Sequence, residues 1–143
     1  MRRVWGLTIL VGAGVGLFLA PHPAVAQACK DDVSMVDGSK QALVELTETV
    51  KKESLPDFVR LNHQKSAVNK LTLHVSMLGE LVSCLDKAAQ DAAAPKADVD
   101  AAKAQHDASA KLLEKIQQER GAIKDAKTPK DAKALIEKID LTP

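Results

Sequence analysis

The sequence has no tyrosine, one tryptophan and two phenylalanines. Trp5 and Phe18 fall in an N-terminal segment that reads as an export signal, so Phe58 is the only aromatic ring of the expected mature chain. Sugar-binding and single-strand-binding surfaces rest on stacked aromatic platforms, and this chain has no residues to build one. A charge excess of one sign is missing too. Removing Arg2 and Arg3 with the signal leaves 18 of the 20 basic residues against 19 acidic ones. Both signs are interspersed, which gives neither an electrostatic footprint for nucleic acid nor a polybasic patch for anionic lipid.

Chemical motifs are equally scarce. There is no Cys-x-x-Cys, no phosphate-cradling glycine loop, no nucleophile elbow and no His-Glu-x-x-His. No Glu stands three residues before a histidine, as di-metal bundles require. The acids occur mixed with lysines, as a solvated surface has them. The expectation is a protein that is not an enzyme and needs no cofactor. No strand pattern appears anywhere.

What is present begins with that N-terminal segment. Met1-Arg2-Arg3 is followed by an uncharged apolar run from Val4 to Ala20, then Pro21, Pro23 and the small residues Ala24-Val25-Ala26-Gln27-Ala28. This is the layout of a secretory signal peptide, expected over residues 1–28, with overlapping cleavage sites before Gln27 and before Cys29. The run is slightly short for a membrane span of about 20 residues. The twin-arginine pair has a poor match after it in Val4-Trp5-Gly6-Leu7. Lipoprotein signals place Leu three residues before the acylated Cys, where this chain has Ala26. A lipid anchor at Cys29 is therefore the lesser alternative, and a periplasmic or secreted protein, off the membrane after cleavage, is expected.

Residues 29–143 are rich in Ala, Leu, Val, Lys, Asp and Glu, the composition of long helices. Spacing predicts helices at about 31–53, 56–92, 96–126 and 129–139, the first open to a break at Gly38. The second and fourth open on Ser54-Leu55-Pro56-Asp57 and Thr128-Pro129-Lys130-Asp131, each with a capping hydroxyl, an early proline and an acid three residues on. The second helix carries two adjacent stripes. One runs Leu61, Gln64, Val68, Leu71, Val75, Leu78, Val82, Leu85, Ala89, and the other His63, Ala67, Lys70, His74, Met77, Leu81, Cys84, Ala88. Two stripes imply two neighbours. The third helix shows one thin seam through Val99, Ala102, His106, Ser109, Leu113, Ile116, Arg120 and Ile123, and the fourth an inner face of Ala132, Leu135 and Ile139. The fold expected is all-α, an antiparallel helical hairpin extended to a three- or four-helix bundle.

Two cysteines in an exported chain predict a disulfide between Cys29 and Cys84. A hairpin bending at Ser54-Leu55 puts Cys29 opposite Glu80, one helical turn from Cys84. The same register puts Met35 opposite His74, and helical haem proteins hold iron between such a pair. The competing reading makes Met35 and Met77 gap-fillers, His63 and His74 core-flanking residues with outward tips, and His106 a register-setting polar residue. Two functions follow. The leading one is a protein-interaction or structural module of the cell envelope, binding another protein or itself, with Val44, Leu73 and Leu112 off the seams as its candidate surface. The second is a haem- or metal-binding bundle using His74 with Met35 or His106.

Overall fold

The computed structural model describes residues 27–52 and 56–143. Residues 1–26 of the expected signal and the expected bend at Ser54-Leu55 lie outside them. The described chain is all-α. Helix α1 spans Lys30–Lys52, α2 Asp57–Ala89, α3 Lys96–Lys124 and α4 Pro129–Ile136. Among the described residues no helix is long and apolar enough to cross a membrane.

The central element is α2, which packs against each of the other three helices. Its two stripes account for this. Leu71, Leu78 and Leu85 from one and Ala67, His74 and Leu81 from the other are buried. Cys84, in the second stripe, bonds to Cys29 before α1, and Gln64, in the first, reaches α3. Thus α1 and α3 lie against opposite flanks of α2, and they make no backbone approach to each other among the described residues. They leave a trough along α2.

At one end α4 fills that trough, touching α1, α2 and α3. Its start is built as Thr128-Pro129-Lys130-Asp131 predicts: the Asp131 N–H donates to the Thr128 hydroxyl at 3.1 Å. Its inner face differs from expectation. Ala132 and Ile136 are buried, whereas Leu135 is 36% exposed. Beyond Ile136 the bonds shorten to i→i+3, with Lys138 N–H donating to Leu135 and Ile139 N–H to Ile136, so the helix ends before Ile139. The chain then turns back along α3. Lys115 pairs with Asp140 and donates to the Thr142 carbonyl at 3.1 Å, and Leu141 is buried.

Two other differences have simple causes. No break occurs at Gly38, because Val36, Ser39 and Leu43 all pack inward and hold the helix through it. And α2 ends at Ala89 rather than 92, after which Asp91 accepts from the Ala93 N–H in a polar turn. At the far end of α3, the Gln64 amide donates to the Ile123 carbonyl at 2.8 Å, satisfying a carbonyl that the helix leaves open.

Cys29 and Cys84 form the expected disulfide, with Cα atoms 6.0 Å apart across 55 residues of sequence. The register is one helical turn off the expected one. Cys29 faces Cys84 rather than Glu80, and Ser39 rather than Met35 faces His74. Pro56 stands at the N-cap of α2 with extended backbone and no side-chain cap, so the helix begins at Asp57.

Two stability measurements test this architecture. Reducing the bridge, or replacing Cys84 with Ser, should lower unfolding free energy by up to about 4 kcal/mol in urea titrations, with far-UV helix content retained in the absence of denaturant. Gly38→Ala meets nothing within 4 Å of its new Cβ and should raise stability by about 0.5–1 kcal/mol.

Candidate functional site

Because α4 is only 8 residues, ~12 Å long, it cannot roof the full length of α2 at 33 residues and ~50 Å. Toward the disulfide end the trough stays open as a groove of about 330 Å³. Its floor is α2, through His74, Leu78, Leu81 and Leu85. Val33 and Val36 of α1 form one wall and Leu112 of α3 the other, with Pro143 at the side reached by the returning chain. The polar contributions come from Asp37, Lys40, Gln105 and Ser109, which are exposed or half-buried, so the groove is mainly apolar with a polar margin.

His74 is the exception on the floor. It is fully buried, with its Nδ1 2.7 Å from the Ser39 hydroxyl of α1. Ser39 in turn donates to the Val36 carbonyl at 2.9 Å, which uses its one proton. The consistent arrangement has His74 Nδ1–H donating to Ser39. That leaves Nε2 as a bare acceptor, and it has no hydrogen-bond partner. Burial, with the charge of Lys40 adding to it, lowers the imidazole from 6.5 to about 4. The ring is therefore neutral at neutral pH, and its free lone pair stays available. In this arrangement the serine proton goes to its own helix and not to His74.

The sequence-derived candidates fare unequally. Met35 is 38% exposed, on the flank of α1 away from Val33, Asp37 and Lys40, and Ser39 takes the place expected for it. His106 is half-exposed and bonds to Asp107 at 3.1 Å rather than setting register inside a seam. The expected outward tip of His74 is corrected to a fully buried ring. Leu112 is corrected too: it is 5% exposed and forms a groove wall, because α3 buries a second flank toward the trough. Val44 and Leu73 do lie on the surface. The joint site of His74 with Met35 or His106 gains no support from this arrangement. One cluster of metal-ligand type, Cys29, Asp32 and Cys84, occurs among the described residues, and its sulfurs are consumed in the disulfide.

Sequence reasoning missed the groove and the Phe58–Leu61 pair. Phe58 is 70% exposed, and Leu61, one turn on along the same face, is also exposed. Leu61 continues into a shallow depression with Gln64, Lys65, Val68, Asn69 and, across α3, Lys124. The signal was there: Leu61 begins the first stripe of α2 before α3 is long enough to cover it.

The depressed imidazole makes stability depend on pH. Between pH 6.5 and about 4 the unfolded chain takes up a proton that the folded ring refuses, so stability is full above pH 6.5 and falls as pH drops through that window. The slope is about 1.4 kcal/mol per pH unit, for a total on the order of 3 kcal/mol. Urea unfolding from pH 7.5 to 4.5 should show this slope in the natural chain and lose it in His74→Leu. No protein-family model matches this chain, and no curated protein or solved structure matches it either.

Proposed function

We propose that this chain is an exported interaction module of the cell envelope, periplasmic or secreted, which binds another protein or a second copy of itself and turns over no substrate. The layout of residues 1–28 and the Cys29–Cys84 bridge support an oxidising, extracytoplasmic setting. The balanced charge argues against nucleic acid as the partner. The closed Ser39–His74–Val36 chain of hydrogen bonds argues against acyl-transfer chemistry there.

One observation carries the reading. The single aromatic ring of the mature region is held out in solvent, beside Leu61, on a helix whose core stripes are otherwise covered. A lone exposed leucine such as Leu73 is ordinary. An exposed aromatic with an aliphatic neighbour, rimmed by Asp57, Lys65, Asn69 and Lys124, has the make-up of an interface: an apolar anchor within a polar ring. Lys65 and Lys124 favour a partner with acidic groups around its apolar centre.

Native mass spectrometry of the oxidised protein, with in-cell photo-crosslinking from position 65, tests the assignment. Phe58→Asp combined with Leu61→Asp should remove the dimer or the discrete adduct while leaving the urea midpoint unchanged, and Leu73→Glu should remove neither. Loss with Leu73→Glu alone would move the interface to that face. Absence of any dimer or adduct in the natural chain would sink the proposal.

A further inference from the structure

A groove with an apolar lining and one buried, unpartnered acceptor has a definite ligand preference. The Nε2 of His74 is shut off from bulk water and has no partner in the protein. It lies on the ring edge away from Ser39, since Nδ1 is committed to that hydroxyl. The imidazole borders the groove of about 330 Å³, within the size range of small-molecule sites. Around it stand Leu78, Leu81, Leu85 and Leu112, which offer no side-chain donor, while Lys40, Gln105 and Ser109 bring donors to the margin of the groove.

From this geometry we propose that the trough between α1 and α3 is a binding site for a small neutral molecule with an apolar body and one hydroxyl or N–H donor, the donor reaching His74 Nε2 by displacing the side chains that cover it in the empty groove. The proposal goes beyond the interaction surface at Phe58 and is independent of it. Three properties set the chemical class. Leucine and valine walls select an apolar body. A bare lone pair in a dry environment selects a donor for the part of the ligand that meets it, where a carboxylate or phosphate oxygen offers only further lone pairs. The groove volume of about 330 Å³ limits the body to about the size of one or two fused rings or a short alkyl chain. Both an aryl alcohol and an indole-type N–H satisfy these conditions. A ligand of the same shape lacking the donor leaves Nε2 unpaired, as it is in the empty groove, and so gains only from apolar contact.

The test uses 2-naphthol and naphthalene as probes on the full disulfide-bonded protein. The chain has no tyrosine and a single tryptophan, so naphthol emission can be excited at wavelengths where the protein does not absorb. The natural chain should bind both probes. His74→Phe should weaken 2-naphthol about ten-fold and change naphthalene less than two-fold. As a measurement needing no variant, the 15N resonance of His74 Nε2 should move on adding 2-naphthol and stay in place on adding naphthalene. Failure of the natural chain to bind 2-naphthol, equal losses for the two probes in His74→Phe, or an Nε2 resonance indifferent to the hydroxyl would each overturn the assignment.

Discussion

The structure depends on one constraint: α2 is apolar over two adjacent stripes and must be covered on both. A helix with a single seam closes with one partner. Here the flank containing Cys84 takes α1 and the flank containing Gln64 takes α3. Two helices laid on either side of a third, with no close backbone approach to each other among the described residues, leave the middle of that third helix under a trough. Leu71, Leu78, Leu81 and Leu85 lie along it, so the trough cannot be left wholly to water. One end is filled by α4 and by Leu141 of the returning chain. The groove is what remains, a direct result of α4 being 8 residues long against 33 in α2.

The same constraint explains where the cross-links lie. Near the bend, α1 is held against α2 by Leu46 and Val50 and by contact with α4. At the opposite end no described helix roofs the trough, and there the Cys29–Cys84 bridge joins α1 to α2 covalently. Between these anchors, the bond from His74 to Ser39 is a buried polar link across the α1–α2 seam. It fixes register more sharply than leucine contacts do, because a shift of one turn would bring Met35 or Leu43 against the imidazole and leave Nδ1 without a partner.

Much of this was legible in the sequence. The two stripes on α2, the capping box at Thr128 and the cysteine pair each rest on local spacing that tertiary packing had no reason to override. What failed was whatever required a height or a rotation to be known. Placing Met35 beside His74 needs the exact height of α1 against α2, and the described helices pair one turn away, with Ser39 at His74 and Cys29 at Cys84. Leu112 lies off the single seam that spacing shows on α3, whereas the trough makes a second flank of that helix an inside face. Spacing puts Leu135 on the inner face of α4 with Ala132 and Ile139, whereas Ile136 lies there, a one-residue difference that in a helix means a rotation of about 100°. The groove itself was not legible at all. It is a void between elements, and no residue pattern encodes a void directly.

His74 is the residue that packing alone does not explain. Its neighbours on the floor are leucines, and a leucine there would remove both a desolvated imidazole and an unpaired nitrogen, the latter a burden of about 1–3 kcal/mol. The bond to Ser39 offsets part of this, yet Ser39 already has an acceptor in the Val36 carbonyl and does not need the histidine. A core optimised only for stability has no use for such a residue at that position. Binding a donor in the groove changes the balance: the nitrogen gains its missing partner while the dry surroundings, which make it costly in the empty protein, strengthen the new bond. The physical case for a ligand therefore rests on the contrast between a leucine-lined floor and the one neutral base set into it.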